Sequence, residues 1–253
     1  MNKPANRHNL SMADTAGARR CVGRRIAGVF AHGKHLFIEL DDACLLRSHL
    51  GMWGSWHAYA PGEAWQKPTR QASIVLDVGD RVFVCFNALQ VEVMRRAGVR
   101  RRLLGQLLGP DLLQPSPAYD TIVQRARQLL DPATPLADVL LDQRVATGIG
   151  NVYKSEVLFV RSLHPLAGLR ELPDGELIGL YREAAALLGR NVGGGPRVTR
   201  CAADEAGRLW AYGRTSQPCL RCGTRIVSAR LGRRQRSTFW CPGCQRGAAA
   251  AGL

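Results

Sequence analysis

Four cysteines near the C-terminus, Cys219, Cys222, Cys241 and Cys244, stand as two C-x2-C pairs separated by eighteen residues. This is the spacing of a four-thiolate zinc site, in which each pair occupies a tight turn and the metal completes a tetrahedron. The stretch between the pairs is long enough for a short hairpin that the metal would hold rigid. One structural zinc ion is therefore expected, bound by all four sulfurs. The segment is also basic: Arg221, Arg225, Arg230, Arg233, Arg234, Arg236 and Arg246 crowd it, with Ser237, Thr238 and Trp240 beside them. A ribbon that merely staples a chain end has the same cysteine spacing, but the arginines favour a phosphate backbone as partner.

Composition agrees with such a partner. The 35 Lys and Arg against 20 Asp and Glu give a formal net charge of +15, which favours polyanions. With 253 residues and 46% hydrophobic content, the chain can bury a real core and form two domains beside the metal module. The remaining cysteines, Cys21, Cys44, Cys85 and Cys201, show no paired spacing. Scattered thiols beside a zinc site indicate a reducing cytoplasm without disulfides. The first twenty residues lack the apolar core of a signal peptide, and no apolar run is long enough for a bilayer, so no membrane partner is expected.

From residue 24 to 93, short apolar or alternating runs at 26–30, 35–40, 44–49, 73–78 and 81–86 are broken by turn residues. They predict strands of an antiparallel sandwich or barrel-like sheet. After Gly109-Pro110 the period changes. A proline-bearing linker at 113–117 precedes apolar residues at helical spacing, with Ile122, Val123, Ala126, Leu129 and Leu130 on one face. Further helices are predicted at 135–141, 152–160 and 176–188, ended by Gly148, His164-Pro165 and the 191–196 loop.

Between two of these helices stands Thr147-Gly148-Ile149-Gly150-Asn151-Val152-Tyr153. Glycines at a helix start allow close backbone approach with amides pointing outward, which suits a phosphate. Asn151 can donate from its side chain or cap the helix, and Lys154 adds charge one turn on. The same pattern also fits a plain corner in which Gly148 and Gly150 only permit the bend.

These segments, in this order, resemble the formamidopyrimidine-DNA glycosylase and endonuclease VIII family of base-excision repair enzymes. Leu140 to Arg144 with Gly148 to Phe159 resembles the family's helix-two-turn-helix element, and Tyr212-Gly213-Arg214, Pro218-Cys219 and Arg236 to Pro242 resemble its zinc finger. Gly33-Lys34-His35-Leu36 is similar to the segment supplying an active-site lysine, and Ser48 to Met52 to the loop that wedges into DNA. The resemblance implies a β-sandwich domain over 1–112, a helix-two-turn-helix domain over 118–212 and a finger over 213–247. It implies a DNA glycosylase and abasic-site lyase, acting as a monomer on double-stranded DNA with damaged bases or abasic sites and associated with the nucleoid when bound. A damaged base would be flipped out at a cost of a few kcal/mol, and Met52 or Trp53 would fill the gap. Alternation predicts that Met52 and Trp53 point to opposite faces, one of them into the core. Lys34, Asn151 and Arg236 would clamp phosphates, and Glu156 would lie close to the reacting centre. Oxidised pyrimidines are the expected lesions.

The family begins with a proline whose secondary amine attacks the sugar, followed by a proton-moving glutamate. This chain opens Met1-Asn2-Lys3-Pro4, with Ala5 after the proline. An N-terminus incomplete relative to the family is expected, and a DNA-binding paralogue without base-excision chemistry is the alternative. A third reading makes Lys34 the nucleophile, desolvated among Arg24, Arg25 and His32.

Overall fold

In the computed structural model the chain divides into two units, Met1–Leu104 and Gly105–Leu253. The structure describes residues 23–41, 44–95, 108–193, 195–200 and 207–247, together with the strand Asn9–Ser11. The opening Met1-Asn2-Lys3-Pro4 segment, Cys21, Cys201 and the rest of the 201–206 segment lie outside them.

The first unit pairs two antiparallel sheets. One orders β2 (Ile26–His32), β3 (His35–Leu40), β4 (Cys44–His49) and β8 (Gln90–Arg95); the other orders β1 (Asn9–Ser11), β6 (Ala72–Asp77), β7 (Val82–Phe86) and β5 (Ser55–Tyr59). Period-two alternation turns Ile38, Leu40, Cys44 and Leu46 of the first sheet toward Ile74, Leu76 and Cys85 of the second, forming one buried core between them. Trp56 packs at its margin. A second cluster, Tyr59, Ala72, Val84 and Phe86, is covered by Trp65. Strands β5 and β8 were not expected from the sequence. Both are pinned by long-range pairing, β8 along β4 from Cys44↔Arg95 to His49↔Gln90 and β5 along β7 from Ser55↔Phe86 to Tyr59↔Val82.

Among its described residues the second unit holds four α-helices and a hairpin: α1 (Tyr119–Leu129), α2 (Leu136–Leu141), α3 (Asn151–Val160), α4 (Asp174–Gly189), β9 (Val227–Leu231) and β10 (Arg236–Trp240). The apolar faces read from helical spacing meet in one core, with Ile122 and Ala126 of α1, Leu136 and Leu140 of α2, Val157 and Leu158 of α3, and Leu180 and Ala184 of α4. No helix among the described residues is long and apolar enough to cross a membrane. The segment expected as a separate finger lies in this same unit and shares a core with α3, where Phe159 packs with Ala211, Cys219, Ile226 and Cys241.

The hairpin tip is also fixed. Gly232 sits at φ +75°, and the Arg233 N–H donates to Asp138 Oδ2 of α2 at 2.9 Å. A Cβ on Gly232 would meet Asp138 Oδ1 at 2.1 Å. Gly232→Ala should therefore break that hydrogen bond and strain the turn, lowering stability by about 1 to 3 kcal/mol. Denaturant melting checks this, and an unchanged midpoint would show that the tip does not depend on α2.

Candidate nucleic-acid interface

The second unit gathers most of the predicted site. Cys219, Cys222, Cys241 and Cys244 bring their sulfurs within 4.8 Å of one another. Three of the Sγ separations are 3.8 Å (Cys219 to Cys244), 3.5 Å (Cys222 to Cys241) and 3.4 Å (Cys222 to Cys244). A tetrahedron with Zn–S bonds of about 2.3 Å has edges of about 3.8 Å, so the donor set fits zinc. Backbone N–H groups of Arg221 and Cys244 point at Cys219 Sγ and Cys241 Sγ, each at 3.4 Å, which favours thiolates. Gly243 is required by crowding, because a Cβ there would lie 2.6 Å from Thr224 Oγ1 and 3.1 Å from Cys222 Sγ.

Not every arginine of this segment is offered to a ligand. Arg221 donates to the carbonyls of Phe159 and Val160 and to Ser162 Oγ, with its guanidinium 4.6 Å above the Phe159 ring. It caps the C-terminal end of α3, where a cation suits the helix dipole. Arg225 donates to the Ser216 carbonyl at 2.8 Å. Arg233, Arg234 and Arg236 are exposed along the tip and β10.

Beside β10 lies the turn that opens α3. Gly148 adopts φ +112°, which only glycine takes without strain, whereas Gly150 is extended at φ −119° and is not restricted in that way. Gln143 staples the turn: its Nε2 donates to the carbonyls of Leu141 and Ile149, both at 3.2 Å, and its Oε1 accepts from the Gly148 N–H at 3.4 Å. Gly150 is the N-cap residue and no side chain caps the helix, so the first-turn amides face outward at the positive end of the dipole. Asn151 is the first helical residue, and its Nδ2 donates to the Ser237 carbonyl at 2.8 Å. That bond sets Asn151 beside Arg236 on the neighbouring strand.

The two charged residues that follow are both buried. Lys154, read as an added surface charge, is 1% exposed. Its three donors are spent on Thr238 Oγ1 (2.7 Å), Asn151 Oδ1 (2.8 Å) and the Ser237 carbonyl (3.2 Å). Burial pushes its pKa down to about 8; Asp138 opposes that shift and Arg236 adds to it. Glu156 is wholly buried. Its Oε1 accepts the N–H groups of Ala211 (2.9 Å) and Tyr212 (2.7 Å), and its Oε2 accepts the Trp210 N–H (2.8 Å) and the Thr199 hydroxyl. All four acceptor sites of the carboxylate are filled. The 210–212 segment thus fixed helps to wall an open concavity of about 470 Å³ lined by Val152, Arg197, Arg208, Tyr212 and Arg214.

In the first unit, the pairing of His35 with His49 and of His49 with Gln90 puts three turns at one end of the same sheet. They carry Lys34, then Met52 and Trp53, then Leu89. Lys34 is exposed, so the desolvation expected to make it nucleophilic is missing. Its charge, with that of Arg47, adds to burial in holding the pKa values of His35 and His49 below the ordinary range, that of His35 at about 4. The local potential is positive, as an anion site needs. Met52 and Trp53 are 77% and 80% exposed, and Leu89 is 68% exposed. The alternation argument that put one of the first two in the core fails because both sit on a turn rather than a strand. The turn is tightly wound: a Cβ on Gly51 (φ +66°) would lie 2.8 Å from Leu89 Cβ, and one on Gly54 2.4 Å from the Leu50 carbonyl oxygen.

Sequence reasoning missed Gln143, Thr199, Asp138 and Leu89. Thr199 and Asp138 act by hydrogen bonds to residues 43 and 95 positions away that no spacing announces, whereas Gln143 bonds within its own turn. Leu89 carried a local signal, a lone leucine in the turn-forming run Asn87-Ala88-Leu89-Gln90.

Comparison with known proteins agrees with this geometry. Residues 2–103 match the formamidopyrimidine-DNA glycosylase N-terminal domain, 108–201 its H2TH domain, and 216–247 the zinc finger found in FPG and IleRS. The chain is 38% identical over 232 residues to "Probable endonuclease 8 2" of Streptomyces coelicolor, covering 90% of this chain and 82% of that one. It is 37% identical over 223 residues to the DNA-(apurinic or apyrimidinic site) lyase Nei2 of Mycolicibacterium smegmatis, covering 88% and 83%. Among solved structures, the Lactococcus lactis formamidopyrimidine-DNA glycosylase bound to DNA containing an abasic site shares the fold, with a TM-score of 0.75 at 21% identity over 94% of this chain and 91% of that one. With the turn, the uncapped helix and the four-cysteine hairpin all in their places, the chain belongs to the formamidopyrimidine-DNA glycosylase and endonuclease VIII family.

Proposed function

We propose that this protein is a DNA glycosylase and abasic-site lyase that acts on oxidised bases in double-stranded DNA. The observation that carries the reading is the uncapped start of α3, with Asn151 locked beside the exposed Arg236. Outward amides, one spare Asn151 N–H and a guanidinium form a compact anion cradle suited to a backbone phosphate. Lys34 supports it as a second phosphate contact. Met52 and Trp53 are the side chains to fill the space a flipped base vacates, since apolar exposure on a rigid turn is costly unless something covers it. Oxidised pyrimidines are the proposed substrates, one zinc ion per chain the proposed cofactor, and a monomer the proposed active form.

In the reaction an amine adds to the sugar C1′ and the base departs with the bonding electrons and a proton. The sugar ring then opens at C1′–O4′, O4′ taking up a proton, and the iminium ion so formed acidifies C2′, whose proton is removed as the 3′ phosphate leaves. Borohydride reduces that iminium ion to a stable amine, so a duplex with an abasic site should become covalently attached to the protein. Because Lys34 is exposed, attachment should persist in Lys34→Ala. Its loss there would make Lys34 the nucleophile, and tight binding without any attachment would leave a damage-binding protein in place of an enzyme.

Glu156, with every acceptor site occupied, is assigned here to hold the 210–212 segment instead of moving protons. Glu156→Gln turns an amide donor against the Trp210 N–H or the Ala211 and Tyr212 pair, which should cost about 2 to 4 kcal/mol of stability. A variant that melts like the parent yet has lost its chemistry would restore a proton-transfer role.

Cys219→Ser should release the metal, measured as zinc per chain, and weaken DNA binding in parallel. Full affinity after verified metal loss would leave the ribbon as a staple only.

A further inference from the structure

We infer that Lys154 is a positioning residue that sets the two phosphate-binding groups, Asn151 and Arg236, in register with each other while touching no phosphate itself. The inference rests on the DNA-binding reading above and assigns within it a group whose sequence position suggested direct contact. Lys154 is 1% exposed, and its ammonium has three hydrogens and three protein acceptors, so no donor remains for a ligand.

Each acceptor leads to the cradle. Asn151 Oδ1 takes one hydrogen, which fixes the carboxamide with its Nδ2 toward Ser237 and leaves one N–H outward. The Ser237 carbonyl takes the second, tying the residue after Arg236 to α3. The third goes to Thr238 Oγ1, which is itself buried and donates to the Arg236 carbonyl at 3.0 Å. Asp138 lies near enough to favour the ammonium and Arg236 near enough to oppose it. A buried cation in the first turn of a helix is disfavoured by the dipole as well as by desolvation. A neutral residue would pack there at lower cost, and the ammonium is the group able to hold three acceptors from two chain segments at once.

The test is the salt dependence of binding to a duplex containing an abasic site, measured for the parent and for Lys154→Met, Asn151→Ala and Arg236→Ala, with the double variant Lys154→Met/Asn151→Ala. A lost phosphate contact lowers the slope of log affinity against log salt by about 0.9. Asn151→Ala contributes no charge and should reduce affinity mainly at fixed slope, whereas Arg236→Ala should lower the slope by that amount. Lys154→Met should weaken binding roughly tenfold with the slope unchanged, and by clearly less than that when Asn151 is already alanine, because one of its three bonds acts through that side chain and the other two through the strand that carries Arg236. Thr238→Val, which removes one acceptor at equal volume, should weaken binding in the same way and guards against a Lys154→Met chain that fails to fold or to hold zinc. A slope about 0.9 lower in Lys154→Met would mean direct phosphate contact, and a full tenfold loss in the double variant would mean action elsewhere; either overturns the inference. If Arg236→Ala and Asn151→Ala bind like the parent, the phosphate cradle itself is wrong and this inference falls with it.

Discussion

One short helix buries two opposite charges, and the second unit is organised around satisfying them. Helix α3 is ten residues long, and Tyr153 through Phe159 are all buried. Within that run stand Lys154 and Glu156. An ionised group taken out of water costs several kcal/mol unless its hydrogen-bonding capacity is met inside the protein. Neither finds its partners chiefly within α3. The ammonium draws on Ser237 and Thr238 of the hairpin, and the carboxylate on Thr199 and the backbone of 210–212. Leaving either group unpaired would cost more than the bonds themselves contribute, so the two charges specify where the distant segments must lie.

Metal and arginine extend the same arrangement. The four thiolates close the ribbon on itself, but they do not orient it. Orientation comes from Arg221 on the end of α3, from Gln245, which accepts from the Cys241 N–H and donates to the Leu163 carbonyl, and from Asp138 at the hairpin tip. The basic residues of the finger therefore serve in more than one way. Arg221 and Arg225 donate to acceptors of the protein itself, where they help to hold the ribbon. Exposed Arg233, Arg234 and Arg236 lie along the tip and β10, where they can exchange counterions for phosphates.

Much of this was legible in the sequence, and the exceptions share a cause. The zinc ligands announce themselves because C-x2-C spacing is a local geometric requirement. The helices and most strands do so because their apolar residues repeat at 3.6 or 2 positions. Less legible was the burial of individual charges. Lys154 was read as charge offered to a phosphate and Glu156 as a group near the reacting centre, so their burial was not anticipated, yet Asn151 to Val160 holds only these two charges in an otherwise apolar or small-residue helix. A helix with no consistent polar face is a buried helix, and that signal was available. Their partners were not, because Thr199, Trp210 and Thr238 are 43, 54 and 84 residues away. Strand β8 escaped for the same reason: Gln90 to Arg95 alternates over six residues, but only its pairing along β4 distinguishes it from a loop.

Rigidity in the two units is obtained by different means, and the difference suits the role proposed for each. The proposed anion cradle of the second unit is polar, and it is held by hydrogen bonds that use all three donors of Lys154. The apolar turn of the first unit has no polar side chains to anchor it. Its shape is set by crowding at Gly51 against the Leu89 side chain and at Gly54 against the Leu50 backbone, where there is no room for a Cβ. Such a turn keeps Met52 and Trp53 exposed without letting them fold back over the sheet. A phosphate ligand requires donors at fixed distances, whereas filling a gap between stacked bases requires a large apolar side chain on a stiff support. Lys154 and the two glycines are thus the buried and backbone features that support the roles proposed for the exposed residues.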